Sequence, residues 1–135
     1  HVRVFFVSNR DALLESATRR NLQQAGVVLD DAAGGNALDA VLLIGERPNW
    51  LSRDKSPRRA WVAQSHRVLL LIGDDLNDFV LVPEDLAQRD AALQLYAERF
   101  GQRWIVLPNP MYGSWERAAY AGGNDPAALD TLLGR

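Results

Sequence analysis

Apolar runs alternate with amphipathic stretches along the chain, the pattern of a sheet covered by helices. Residues 2–7 (VRVFFV) are rich in β-branched and aromatic side chains and predict a buried strand. Asp11 can then cap a helix that carries Leu13, Leu14, Ala17 and Leu22 and stops near Gly26. A second short strand is expected at 41–44, followed by Gly45. After the polar stretch 52–57, Ser56 and Pro57 open a helix that runs through Trp61 and Val62 to about Ser65, because Pro is tolerated at the first helical position. Residues 67–72 (RVLLLI) give the clearest signal for a buried strand, with the polar run 73–78 at its C-terminal end. The pattern then predicts a long amphipathic helix over 83–100 and a last strand over 103–107. Two short helices follow, over 114–121 and from Asp125 and Pro126. Gly34, Gly35 and Asn36 mark a loop. The expectation is an α/β fold with a mostly parallel sheet flanked by helices.

Composition narrows the function classes. A chain of 135 residues holds one ordinary hydrophobic core. It is 47% hydrophobic and 24% charged, which sets it apart from disordered chains. Fifteen basic and 17 acidic residues leave a net charge of −2, which argues against a nucleic-acid polymer as partner. No apolar run approaches the roughly 18 residues of a membrane span, and the first residues lack a signal-peptide layout. Without cysteine there is no disulfide, thiolate zinc site or Cys nucleophile. The chain opens at His1 directly on an apolar strand, as a piece cut from something longer would.

In open α/β sheets, functional groups collect beyond the C-terminal ends of the strands. Ser8, Asn9 and Arg10 follow the first predicted strand, Lys55 begins a helix, and Asp74, Asp75 and Asp78 follow the strongest strand. Three carboxylates so close repel one another unless something compensates. A hard cation such as Mg²⁺ would do so, and a solvated turn with a helix cap is the other reading; the cluster alone leaves both open. Ser8 has a hydroxyl and neighbouring amides suited to a phosphate, or to capping the helix that starts near Asp11. Lys55 is a point charge suited to phosphoryl oxygens, or one of several solvated cations beside Arg53, Arg58 and Arg59. His1 and His66 lack ligand spacing, and Trp50, Trp61 and Trp104 read as packing.

The order of these features decides more than any one of them. FFVSNR at 5–10, DKSPRR at 54–59 and LLIGDDLNDF at 70–79 resemble the haloacid dehalogenase superfamily of phosphohydrolases. Its members end one core strand in Ser or Thr, place a Lys before a later helix, and end a further strand in an acidic motif. IVLPNPMYGSWE at 105–116 narrows the likeness to the class C acid phosphatases, bacterial lipoprotein-type phosphomonoesterases and 5′-nucleotidases. The resemblance implies a Rossmann-like core and a Mg²⁺ cofactor held by Asp74, with Asp78 and Asp75 orienting it. It also implies Ser8 and Asn9 at the phosphoryl group, Lys55 stabilising its charge, and Tyr112 against the leaving group of a small phosphomonoester such as a nucleoside monophosphate. A cell-envelope location, in the periplasm or as an outer-membrane lipoprotein, and a homodimer are further expectations.

One departure stands out. The superfamily's nucleophile lies in a D-x-D motif after its first strand, and no D-x-D occurs in this sequence. By the family pattern residues 1–135 are the C-terminal part of a single phosphatase domain, lacking the first strand and much of the cap. That strand would lie between the strands preceding Ser8 and Asp74, so without it two inner edges stay unpaired. An N-terminal segment, in cis or in trans, is then a partner, and the chain alone is expected to be inactive and poorly stable. The alternative function is a non-catalytic phosphate- or Mg²⁺-binding module of this or a flavodoxin-like fold. Phosphoacceptor receivers fit less well, because their acidic pair precedes their Lys by a long stretch.

Overall fold

A helix joins each of two pairs of parallel strands, so the α/β pattern is realised twice in succession. The computed structural model describes residues 2–29 and 39–119; His1, the loop expected at 34–36 and the helix expected from Asp125 lie outside the described residues. The chain divides into two compact units, His1–Arg67 and Val68–Arg135.

In the first unit, β1 (Phe6–Asp11) pairs in parallel with β2 (Val41–Ile44), Phe6 opposite Val41 and Val7 opposite Leu42. Between them come a 3-10 turn (Ala12–Leu14) and helix α1 (Glu15–Gln24). Asp11 starts this segment as expected, its carboxylate accepting from the Leu13 amide at 2.8 Å. The chain leaves α1 through Gly26 at φ 84°, a left-handed conformation that costs glycine little. Helix α2 (Ser56–Ala63) follows β2. Leu42, Trp50 and Val62 form the buried centre, with Phe5, Val7 and Trp61 packed against it. The Trp50 and Trp61 rings meet edge to face at 6.3 Å, and the Arg47 guanidinium lies 3.8 Å from the Trp61 ring centre.

In the second unit, β3 (Leu71–Gly73) pairs in parallel with β4 (Trp104–Val106), Leu71 opposite Trp104 and Gly73 opposite Val106. A 3-10 turn (Leu76–Asp78), helix α3 (Leu86–Leu95) and a second turn (Ala97–Arg99) lie between them, and α4 (Ser114–Ala119) follows β4. The core here is aromatic. Phe79 stacks on Trp104 at 5.3 Å, while Phe100 meets Trp104 edge-on at 5.4 Å. No helix among the described residues is long and apolar enough to cross a membrane.

Several expectations need correction. β1 begins at Phe6, leaving Val2 and Val4 exposed, and it runs on to Asp11, so Ser8, Asn9 and Arg10 lie within the strand. Of residues 67–72 only Leu71 and Ile72 join a ladder, and Val68, Leu69, Leu70 and Ile72 are all exposed. The reason is the ladder itself: β3 pairs with β4 alone among the described residues, and β1 with β2 alone. A strand with a single partner leaves one edge open, and its apolar side chains there stay in water. Helix α3 is shorter than the 83–100 pattern. Asp85 caps it, and it stops where Tyr96 leaves helical backbone (φ −108°, ψ 13°) and sets its ring 5.0 Å from Trp104. Leu13, expected on an apolar helix face, stands 94% exposed.

Candidate active site

Each unit carries a cluster of polar groups at a strand end. In the first unit the β1–β2 register slips between Val7 and Asp11, so Asp11 pairs with Ile44 and residues 8–10 bulge. Such irregularities bend a strand and re-aim its side chains. Within the bulge, Ser8 Oγ accepts from the Arg10 amide at 3.2 Å. Asn9 is held at both ends of its amide: Nδ2 donates to the Arg53 carbonyl at 3.0 Å, and Oδ1 accepts from Arg58 Nη2 at 2.6 Å. Asn9 therefore braces the bulge in this structure. At the start of α2, Asp54 Oδ1 accepts from the Ser56 amide at 2.8 Å and Lys55 occupies the cap position, one residue earlier than the sequence suggests.

Arg58 was expected among solvated cations and is instead fully buried. Nη1 donates to the Ser8 carbonyl at 2.5 Å, and Nη2 reaches the Asp54 carbonyl at 3.1 Å and, at 3.4 Å, that of Ser52. Among the described residues its Nε finds no acceptor. Burial lowers the Arg58 pKa, against the favourable fields of Asp54 and Glu46. The planar fork explains the placement: it meets several carbonyls at fixed angles, which an ammonium cannot do.

In the second unit the acidic run after β3 folds back on its own backbone. Asp78 Oδ2 accepts from the amides of Asp74 at 2.9 Å and Asp75 at 3.1 Å. That carboxylate lies so close to Gly73 that a Cβ there would come within 2.4 Å of it. Asp75 Oδ1 accepts from the Asn77 amide at 2.9 Å and the Ser114 hydroxyl at 2.5 Å, and its Oδ2 accepts from the Ser114 amide at 2.5 Å. Asp74 is exposed, and Asn109 Nδ2 donates to its Oδ2 at 2.6 Å. Asn109 Oδ1 in turn accepts from the amides of Met111 at 3.1 Å and Tyr112 at 3.4 Å, tying the segment after β4 to Asp74. Tyr112 stands 68% exposed.

The three carboxylates therefore differ in what they offer a cation. Asp75 accepts from the chain at both oxygens and Asp78 through its Oδ2, whereas Asp74 is exposed and has its Oδ2 on Asn109. No group of three or more carboxylate or imidazole side chains is arranged to hold a metal among the described residues. The donor chemistry still fits a hard cation at Asp74, because Mg²⁺ commonly takes one or two carboxylates and fills its shell with water and phosphate oxygens. Arg58, Asn109 and Ser114 were not singled out in the sequence. Only Ser114 carried a signal, as a Ser opening a predicted helix.

Residues 1–115 match the family described as HAD superfamily, subfamily IIIB (Acid phosphatase). The chain belongs to this acid phosphatase family. Among solved structures it is similar to the class C acid phosphatase from Bacillus anthracis, at 30% identity and a TM-score of 0.69, over 96% of this chain and 51% of that one. A second structure of that enzyme, with tungstate bound, matches at 31% identity and a TM-score of 0.73, over 98% of this chain and 53% of that one. The chain thus spans about half the length of these HAD relatives. Their fold agrees with the Rossmann-like α/β arrangement expected from the motifs.

The Asp75 contacts carry a pH signature. Burial acts to raise its pKa, but the hydrogen bonds from Ser114 and from the Asn77 amide, with the charge of Arg89, outweigh that and hold the carboxyl below its ordinary value. The resulting stability is fully present above the ordinary carboxylate range and is lost as pH falls through the lowered folded-state pKa. Urea midpoints measured across the acid range should therefore fall steeply for the native protein and less steeply for Asp75→Asn. Parallel curves would mean that the Ser114 and Asn77 hydrogen bonds do not favour the ionised form.

Proposed function

We propose that the protein carrying this chain is a Mg²⁺-dependent phosphomonoesterase acting on small phosphate esters, nucleoside monophosphates among them. The observation that carries the reading is the Ser8 bulge, fixed by one buried guanidinium to the residues that lead into Lys55, in a chain of acid phosphatase family. Ser8 and the amides of its bulge would take the phosphoryl oxygens, as helix and turn amides take anions elsewhere. Lys55 would meet the charge that develops on the transferring group. The tungstate bound by the Bacillus anthracis relative, a tetrahedral oxyanion like phosphate, supports an anion site of this kind.

The family pattern supplies the nucleophile from a D-x-D motif outside these 135 residues. Its carboxylate would attack phosphorus, the alcohol would leave, and water would hydrolyse the aspartyl phosphate. Mg²⁺, when bound, neutralises charge on the phosphoryl oxygens. Asp74 would hold it, oriented by Asn109, while Asp78 and Asp75 keep the loop in shape. A location in the bacterial cell envelope belongs to the same reading.

Steady-state hydrolysis of p-nitrophenyl phosphate by the protein bearing this chain tests the role of Lys55. Lys55→Met should lower kcat by about 10²–10³-fold with a much smaller change in KM, because the charge matters most in the transition state. Unchanged kcat would return Lys55 to the helix start as a solvated cation.

Calorimetric titration with Mg²⁺ should show a large loss of affinity in Asp74→Asn and a small one in Asp75→Asn. Equal affinity in Asp74→Asn and the native protein would remove Asp74 as a ligand.

Tyr112 would present its ring to a leaving group, a role that its exposure and the tie of its amide to Asn109 support. Stacking on a base is worth roughly 1–3 kcal/mol, so Tyr112→Ala should lower kcat/KM for nucleoside monophosphates about tenfold and leave a small aliphatic phosphate unaffected. Equal losses on both, with a lower Tm, would make the ring a packing residue.

A further inference from the structure

We infer that Arg58 is the positioning residue of the anion site: its guanidinium locks the Ser8–Asn9 bulge to the 52–55 segment, so that Ser8 and Lys55 are presented in one fixed arrangement. The inference rests on the reading of Ser8 and Lys55 as phosphoryl-binding groups. It does not require Arg58 to touch the substrate, and full burial keeps it from doing so.

Three observations converge. First, the fork spans segments far apart in sequence, donating to the Ser8 carbonyl and Asn9 Oδ1 on one side and to the Asp54 carbonyl on the other. Second, those acceptors immediately adjoin the residues of interest: the Ser8 carbonyl belongs to the Ser8–Asn9 peptide, and the Asp54 carbonyl to the peptide that leads into Lys55. Third, Asn9 closes the loop from the other side by donating to the Arg53 carbonyl at 3.0 Å. A bulge and a helix start are both irregular backbone, whose position the β1–β2 ladder does not determine. With the clamp in place neither can move without breaking charge-assisted hydrogen bonds away from water, which are the costly ones to break. A buried arginine is a poor choice if stability were its only purpose, since apolar residues of similar volume often serve as well or better. What apolar packing cannot do is fix carbonyls on two loops at set angles.

Tungstate titration of the protein bearing this chain separates positioning from folding, because calorimetry reports stoichiometry and affinity independently. Arg58→Lys keeps the charge and loses the fork. The expected result is a near-native stoichiometry with affinity for tungstate about tenfold weaker, and a larger fall in kcat than in folded fraction, as small misplacements cost up to about 10²-fold. Native affinity in the folded fraction of Arg58→Lys would overturn the inference. Should that variant not fold, Asn9→Ala removes one end of the clamp from an exposed position. Amide hydrogen exchange over residues 52–55 in its ligand-free form should then be faster, a change that a direct Asn9–substrate contact would not cause; unchanged exchange there would overturn the inference. Native tungstate affinity in both Ser8→Ala and Lys55→Met is a different failure, since it would remove the anion-site reading itself while leaving the clamp as a structural fact.

Discussion

The loop after β3 depends on carboxylates that accept from backbone amides. Asp78 takes the amides of Asp74 and Asp75, and Asp75 takes those of Asn77 and Ser114. Two consequences follow from elementary electrostatics. Negative charge that would otherwise be repulsive is matched by N–H dipoles at short range, and the backbone of the loop is braced where these four amides donate. Asp74 is what remains: an exposed carboxylate on a braced loop, with one oxygen steadied by Asn109. One exposed carboxylate thus stands beside two that hold the backbone of the loop.

The first unit solves a comparable problem with the opposite charge. Its irregular segments expose carbonyls, and carbonyls call for donors. Arg58 supplies them from within the core, at the expense of desolvating a cation and leaving Nε without an acceptor. Both arrangements set a charged side chain among backbone dipoles. Interactions of that kind are less exposed to salt screening than surface ion pairs such as Arg19 with Glu15.

Much of this was legible in the sequence, and the failures share a cause. Strand β2, the Asp11 cap, the α2 start and the packing of Trp50 and Trp104 follow from local patterning, which the chain carries in short windows. The family motifs were legible too, since they are runs of adjacent residues. What was missed depends on partners distant in sequence. The burial of 67–72 could not be judged from its own apolar run, because burial needs a second neighbour and a covering layer. Arg58 looks like any basic residue in SPRR until the carbonyls of Ser8 and Asp54 surround it. Asn109 carried no signal of its own, and only the fold brings it to Asp74.

Gly73 carries a consequence for how this chain tolerates variation. A Cβ at that position would come within 2.4 Å of Asp78 Oδ2, so any side chain there displaces the carboxylate that holds two amides. Positions 73 and 78 consequently act as one energetic element, and substitutions at the two do not add. Once either has changed, the second change removes a contact already lost. A drifting lineage that gave up the glycine would be released at the same stroke from any need to keep the aspartate, and the loop would lose both together.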